Sequence, residues 1–431
     1  MLSESIAHAP AAAQSRSMRR RAVTAASFGT FVEYYDFVIY GYVASYIAAA
    51  FFPVESSFVS LLLTFGAFAV SFFARPLGAV IFAPLGDRYG RRAVLSIVIL
   101  LMTIATAGIG VLPTYYQIGI VAPVLLTAMR LLQGVSAGGE YGGATSMLAE
   151  FAPPGRRGFY VGFVSLTVGA AMLFGSGTSL ALTRTLSAES MADWGWRLPL
   201  LLSLPLGLIG LYIRYRLEET PEFASLKREG RVQKSPLRTT LTRDYRSVLI
   251  GISIAATNSC MMALYFIYLP SALKQFTDFS ASDAQLITFA GLIAYCAAVL
   301  PFARLTDRIG RVPQLSVSAV ALMVLIYPSM VMLSSGVLAQ AVLAIMMVTP
   351  VVAANIAAVT PLLSEMFSTD TRYTGLSLGW QLATTVFAGP TPIILAALAG
   401  AGSATTPAFY AIGVVALTLV GAPFAARRTH R

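Results

Sequence analysis

Long apolar runs constrain the fold of this chain more than any other feature. The first begins after Arg21 and extends to Phe52, and eleven more reach spanning length, at 58–84, 93–112, 118–149, 158–182, 197–217, 247–273, 284–306, 314–334, 337–366, 373–400 and 406–426. A helix needs about 20 mostly apolar residues to cross the hydrocarbon core of a bilayer. The runs therefore predict an all-α integral membrane protein with twelve transmembrane helices.

The scarcity of charge excludes several classes of protein. Charged residues make up 11% of the chain, against about 25% in an average soluble domain, so a water-soluble enzyme could not cover its surface. The net charge of +11 comes from Lys and Arg clustered between apolar runs, with no separate basic domain, which argues against a nucleic-acid partner. No Lys follows a Gly, so the chain lacks the phosphate-binding loop of a nucleotide-driven pump. The two histidines lie in the tails, which excludes a histidine proton relay or metal site within the membrane. We expect no enzymatic activity, cofactor or metal.

The distribution of Lys and Arg predicts the topology. Of the 30 such residues, 25 fall in the two tails, in alternate loops and in the polar stretch near the middle of the chain. Positive charge marks the cytoplasmic side, so we expect both termini there. This predicts an unstructured cytoplasmic tail 1–21, a six-helix bundle 22–217, a cytoplasmic linker 218–246, a second six-helix bundle 247–426 and a short cytoplasmic tail 427–431.

The two halves repeat. GDRYGRR at 86–92 is echoed by TDRIGRV at 306–312, and LAEF at 148–151 by LSEM at 363–366. Two bundles related by a pseudo-two-fold axis along the membrane normal are the plan of a rocking transporter. The two loops at 86–92 and 306–312, here called the latch loops, could only set topology, but their matching residues favour a conformational latch. Its predicted members are Asp87, Arg88, Gly90, Arg91, Asp307, Arg308, Gly310, Arg311 and Arg372.

The latch loops, together with RLLQGVSAGGEYGG at 130–143, resemble the signatures of the major facilitator superfamily. More narrowly, EYYDF at 33–37, ARPLGA at 74–79, WGWRLP at 194–199, EETPEF at 218–223 and RYTG at 372–375 resemble the metabolite:proton symporter family. That family includes carriers of citrate, α-ketoglutarate, shikimate and proline or betaine. FFPVESSF at 51–58 and the stretch 119–134 look nearest its citrate/tricarballylate branch. The resemblance implies a monomeric, multi-pass protein of the bacterial inner membrane.

Charges inside the apolar runs are unequally divided. The first half carries Glu33, Asp36, Arg75, Arg130 and Glu140, whereas 247–273, 284–303, 312–364 and 373–426 contain no charged residue. Charged side chains at this depth are costly and are usually functional. The first bundle must therefore carry any charge chemistry, and the second can contribute only neutral groups.

Glu33 and Asp36 form the candidate proton site. Glu33 lies twelve residues after Arg21, which at 1.5 Å per residue is about 18 Å along the helix. Asp36, at i+3, shares its face, and two acids this close in a low dielectric do not both ionise easily. One of them can therefore carry a proton near neutral pH. The alternative is that each is held in a structural ion pair with Arg75 or Arg130.

Four further residues are candidates: three lie on one helix stripe and one lies beside a proline. Arg130, Gln133 and Glu140 fall on neighbouring angles of the fourth span, and the resemblance implies a role for Arg130 in proton coupling. Glu140 lies among glycines, so a packing role is the alternative. Arg75 precedes Pro76, and it either binds a substrate anion or satisfies carbonyls freed by a kink.

Together these residues predict a symporter that imports a small organic acid, such as a di- or tricarboxylate, with one or more protons. The expected proton-coupling residues are Glu33, Asp36, Arg130 and Glu140, and the expected substrate-binding residues are Arg75, Arg130, Gln133, Tyr40, Asn258, Tyr265, Asn355 and Gln381. Two alternatives remain within the same class: a zwitterion such as proline or betaine, and a cyclic acid such as shikimate. A sensor or membrane enzyme is the rival from another class, but no output domain or nucleophile cluster is evident.

Overall fold

The computed structural model describes residues 4–55, 57–216, 219, 221–229, 235–277 and 279–429. In the first half the helices are α1 Glu4–Tyr42, α2 Ala44–Phe51, α3 Ser57–Tyr89, α4 Arg91–Val111, α5 Tyr115–Ile118, α6 Val121–Phe151, α7 Arg157–Thr185, α8 Ala188–Ser190, α9 Arg197–Leu201 and α10 Ser203–Tyr215. Two short helices follow, α11 Pro221–Arg228 and α12 Pro236–Arg243. The second half contains α13 Tyr245–Met262, α14 Leu269–Phe276, α15 Ala281–Ile309, α16 Arg311–Leu333, α17 Leu338–Glu365, α18 Arg372–Phe387, α19 Thr391–Ala401 and α20 Pro407–Thr429. Two π-helical stretches, Met191–Gly195 and Ala263–Tyr268, continue the helices on either side of them.

Two terminal predictions need comment. The segment 1–21 is not an unstructured tail, because α1 begins at Glu4 and continues without a break to Tyr42. Its composition accounts for this, since the segment is rich in Ala, the strongest helix former. Residues 1–3, residue 217 at the end of the predicted first bundle, part of the predicted linker (218, 220 and 230–234) and the last two residues of the predicted C-terminal tail lie outside the described residues.

Eleven helical segments in the described part of the chain are long and apolar enough to cross a membrane. The first helix is not among them, because Glu33, Asp36 and several tyrosines lower its mean hydropathy. It nevertheless packs against α6 and α7, and both of its acids are buried. The chain is therefore an all-helical, multi-pass membrane protein, and the count of twelve spans remains a prediction.

Close packing of α3 against α6 positions the charged side chains. Gly134 and Gly138 of α6 lie against the backbone carbonyls of Ser71 and Arg75, where an added Cβ would come within 2.1 and 2.2 Å of an oxygen. Only a residue without a side chain permits this approach. Arg75 on α3 and Arg130 on α6 are thereby brought to opposite sides of one narrow space.

Candidate functional site

A carboxylate cavity lies within the first half of the chain. It encloses about 250 Å³ of space not occupied by atoms, and its polar lining residues are Glu33, Asp36, Ser71, Arg75, Arg130 and Gln133. Four of the five charged residues singled out from the sequence therefore meet here, together with the predicted Gln133. Phe37 completes the wall between the cavity and the centre of the molecule.

Glu33 and Asp36 are not held in structural ion pairs. Both side chains are buried, and none of their four carboxylate oxygens has a hydrogen-bond partner among the described residues. No salt bridge joins either of them to Arg75 or Arg130 in the described part of the chain. A buried carboxylate without a partner is costly, whereas a neutral carboxyl is tolerated. The geometry therefore favours proton binding over the ion-pair alternative.

Arg130 is fixed by neutral groups. Its Nη1 donates to Oε1 of Gln133 at 2.7 Å, and its guanidinium lies 4.0 Å above the ring centroid of Tyr40. Gln133 in turn donates to Thr106 Oγ1 at 2.6 Å. This network leaves the positive charge of Arg130 facing the carboxylate cavity without neutralising it. Tyr40, predicted to contact substrate, instead supports Arg130, and its hydroxyl donates to the Thr64 carbonyl at 3.2 Å.

A larger central cavity adjoins the first. Its space not occupied by atoms, including any part open to solvent, is about 520 Å³, and it is lined by residues of both halves. Arg75 is the one charged side chain among its described lining residues, and six aromatic rings surround the space: Tyr34, Phe37, Phe72, Tyr141, Tyr295 and Trp380. Tyr141 and Trp380 are stacked, with ring centroids 4.1 Å apart. The site is thus a single cation in an aromatic enclosure.

Arg75 lines both cavities. Its guanidinium lies 4.7 Å from the ring centroids of Phe37 and Phe72, and its side chain makes no hydrogen bond or salt bridge with another described residue. It does not satisfy carbonyls freed by Pro76, so that alternative finds no support. A buried guanidinium held only by two rings is available to a ligand carboxylate.

Several neutral residues predicted in the cavity lie elsewhere. Asn258 does line the central cavity. Tyr265 pairs with Ser329 at 2.9 Å, Asn355 donates to Ser318 at 3.2 Å, and Gln381 donates to the Ala137 carbonyl at 3.0 Å. Tyr265 and Gln381 thus have hydrogen-bond partners within the helix packing, whereas Oδ1 of Asn355 is buried without a partner among the described residues. None of the three is among the described residues that line the central cavity.

Glu140 is also placed away from both cavities. It forms a buried ion pair with Arg214 of α10, whose Nη1 lies 2.9 Å from Oε2 of Glu140, and Arg214 also donates to the Leu95 carbonyl. Glu140 therefore packs as one member of an ion pair, and not as the neutral packing residue that was the alternative from the sequence. Sequence analysis counted Arg214 among the cytoplasmic arginines and missed this partner, which lies near the end of an apolar run.

A third space, here called the vestibule, opens at the end of the molecule opposite the latch loops. It spans about 1100 Å³ of space, part of it open to solvent, and is lined mainly by the end of α1, the starts of α2, α14 and α15, and the π-helical stretch before α14. Phe37 and Ile267 line both the vestibule and the central cavity. Phe37 therefore contacts all three spaces, and Ile267 lies in a π-helical stretch, a geometry often found at functional sites.

The latch loops close the other end. Asp87 accepts from the backbone N–H and the hydroxyl of Thr374 at 2.9 and 2.7 Å, at the start of α18. Asp307 accepts from the backbone N–H groups of Gly158 and Phe159, both at 2.8 Å, at the start of α7. Each aspartate thus caps a helix of the opposite half, where the helix dipole favours an anion.

Ion pairs surround these caps, and one of them, between Glu150 and Arg372, joins the two halves. Glu150 accepts from Arg91 at 3.1 Å and from Arg372 at 3.3 Å, and Arg311 contacts Asp307 at 2.9 Å and Glu365 at 3.0 Å. Arg243 of α12 adds a pair with Asp370 at 3.5 Å. The neighbouring Asp244 carboxylate accepts hydrogen bonds from Arg243 and raises the pKa of that guanidinium.

The backbone conformation explains why each latch loop has a glycine directly before its second helix. Gly90 and Gly310 have φ angles of 108° and 94°, which other residues rarely adopt. They occupy equivalent positions in the two loops, directly between consecutive helices. Arg88 and Arg308 are exposed and do not take part in the caps. The charge and geometry of the latch are therefore carried by the aspartates, the glycines and Arg91, Arg311 and Arg372.

Two helical halves with a central cavity between them, latch loops at one end and a vestibule at the other are typical of membrane transporters. Residues 22–239 match the family model described as sugar (and other) transporter. The glycine betaine/proline/ectoine/pipecolic acid transporter OusA of Dickeya dadantii is 34% identical over 411 residues, which cover 93% of this chain and 82% of the relative. The proline/betaine transporter of Escherichia coli is 34% identical over 412 residues, with the same coverage.

A citrate-proton symporter of Klebsiella pneumoniae is also 34% identical, over 378 residues that cover 88% of this chain and 85% of the relative. Among solved structures, the proton:xylose symporter XylE bound to 6-bromo-6-deoxy-D-glucose matches with a TM-score of 0.81 and 17% identity, over 96% of each chain. The chain belongs to the sugar (and other) transporter family, and its fold is that of the major facilitator superfamily. The family and these relatives are transporters, not enzymes.

Proposed function

We propose that this chain is a proton-coupled symporter that imports a small zwitterionic solute of the proline or betaine type. The observation that carries the proposal is the central cavity, which offers one guanidinium and six aromatic rings. One guanidinium pairs with one carboxylate, and aromatic faces attract a quaternary ammonium by cation–π interactions. A tricarboxylate would leave two further carboxylates facing aromatic rings, so the cavity supports the zwitterion over the organic acid expected from the sequence. The relatives named for proline and betaine transport support the same choice.

The carboxylate cavity supplies the coupling. When Glu33 and Asp36 are ionised, they attract the positive charge of Arg75 across the wall that the two cavities share. When a proton neutralises them, Arg75 is free to pair with the substrate carboxylate. Loading of the proton and of the solute are thereby linked through one side chain.

Alternating access follows from the two ends. With the latch loops closed, the solute enters through the vestibule and reaches the central cavity past Phe37 and Ile267. Release of the helix caps made by Asp87 and Asp307 opens the latch end. We place the protein in the bacterial inner membrane as a monomer, with α1 as the first of twelve spans, six in each of the bundles 22–217 and 247–426. Both termini and the latch loops are then cytoplasmic.

Uptake into proteoliposomes tests this function. A zwitterion carried with one proton moves one positive charge, so an inside-negative potential of 100 mV, worth about 2.3 kcal/mol per charge, should support about 50-fold accumulation of glycine betaine. Citrate carried with up to three protons would gain nothing from that potential. Uptake that is independent of both potential and proton gradient would contradict the coupling. Competition by citrate but not by betaine or proline would restore the organic acid.

A further inference from the structure

A basic groove lies at the latch end, apart from the three transport spaces. It spans about 1210 Å³ of space, part of it open to solvent, between residues 19–24 of α1, the loop before α7 and the first turns of α7. Arg19, Arg20 and Arg156 line it, and no Asp or Glu is among its described lining residues. Three guanidinium groups around an open space form a site for an anion.

The groove also has an apolar floor. Phe159, Phe163 and Val23 line it beside the arginines. The guanidinium of Arg304 lies 4.6 Å from the ring centroid of Phe159 and adds a further positive charge at the edge of this floor. A free inorganic anion would use only the guanidinium groups, whereas an amphiphile would also cover the floor.

The position of the groove selects among amphiphiles. Arg19 and Arg20 precede the apolar part of α1, and Arg156 lies in the loop between α6 and α7. Arginines that flank membrane-spanning segments lie at the level of the lipid headgroups. We propose that this groove binds the phosphate of an anionic phospholipid, with the first acyl carbons lying over the apolar floor.

The site adjoins the latch. The backbone N–H of Phe159 donates to Asp307, the contact that closes the second latch loop. A lipid seated on the ring of Phe159 would hold the start of α7 in the position at which Asp307 caps it. Occupancy of the groove therefore favours the state in which the latch end is closed.

Native mass spectrometry of the full-length protein in detergent tests the proposal, with dioleoylphosphatidylglycerol as the probe. Each arginine near a headgroup contributes about fivefold in affinity, so Arg20→Gln/Arg156→Gln should weaken binding about 25-fold. Arg20→Lys/Arg156→Lys keeps the charge and should retain most of the affinity. A matched control, Arg216→Gln/Arg246→Gln, removes the same charge from exposed arginines outside the groove and should leave the affinity unchanged.

Three outcomes would overturn the assignment. Equal binding of dioleoylphosphatidylcholine, whose headgroup has a phosphate but no net charge, would show that the groove does not select an anionic headgroup. Displacement of the lipid by millimolar inorganic phosphate would identify a site for a free anion. Equal loss in the control variant would show that the net charge of the protein, rather than the groove, attracts the lipid. Thermal unfolding of each variant establishes that binding is compared between folded proteins.

Discussion

Arg75 is the side chain on which both substrate binding and coupling depend in this proposal. It is 4% exposed, lies 4.7 Å from the ring centroids of Phe37 and Phe72, and makes no salt bridge with a described residue. In Arg75→Gln, a bound carboxylate would enter the central cavity without any counter-charge. Truncation of one partner of a buried, hydrogen-bonded charge pair costs about 2–5 kcal/mol. At 1.4 kcal/mol per tenfold, the half-saturation concentration should rise by about 30-fold to several thousand-fold.

Arg75→Lys separates charge from shape. The ammonium keeps the positive charge but loses the planar fork and much of its contact with the two rings. Cation–π contacts contribute about 1 kcal/mol each, so we expect an affinity loss of about tenfold, smaller than that of the Gln variant. Counterflow of labelled glycine betaine measures affinity without a proton gradient, and uphill uptake measures coupling.

Arg197 provides the matched control for this experiment. It is also an arginine within a membrane segment, but it donates to the carbonyls of Gly110 and Leu112 at 2.9 and 2.8 Å, far from the cavity lining. Arg197→Gln should retain the affinity of the unmodified protein in counterflow. Near-normal affinity in Arg75→Gln would refute the role of Arg75, and so would an equal loss in Arg197→Gln.

Three other changes address the remaining parts of the site. Glu33→Gln and Asp36→Asn are to be made separately. The variant that removes the proton-carrying acid should lose uphill uptake yet retain counterflow. Full uphill uptake in both variants would contradict the assignment. Trp380→Leu should weaken glycine betaine binding by about 30-fold, since a desolvated cation–π contact contributes about 2 kcal/mol, and Trp380→Phe should lose less; titration calorimetry measures both, and equal effects would argue against an aromatic contact. Asp87→Asn removes a charge from the helix cap and should destabilise the closed latch by about 2 kcal/mol; spin labels on the two latch loops should then show a larger population of long distances, and an unchanged distribution would exclude the latch role.

The sequence predicted the carboxylate cavity well because charge is rare in these helices. Glu33, Asp36, Arg75 and Arg130 stand out against an apolar background, and the cost of burying them requires that they share a space. The partnership of Glu140 with Arg214 was missed because an arginine near the end of an apolar run looks the same whether it faces headgroups or turns inward. Helix rotation, which the sequence does not specify, decides between these two outcomes.

The central cavity was harder to predict for a related reason. Tyr34, Tyr141 and Trp380 line it, but aromatic residues in a membrane helix have the same composition in a packed core as in a binding site. Polarity was a misleading signal in the second half. Gln381 and Asn355 each donate a hydrogen bond to a neighbouring helix, and neither is among the described residues that line the central cavity.

Phe37 separates three compartments with a single ring. The vestibule, the central cavity and the carboxylate cavity each have this side chain as part of their wall. A rotamer change that admits the solute must also alter the barrier between outside water and the buried acids. Proton leakage and solute entry therefore depend on the same side chain. A smaller residue at position 37 would speed solute entry but weaken the coupling of transport to protons.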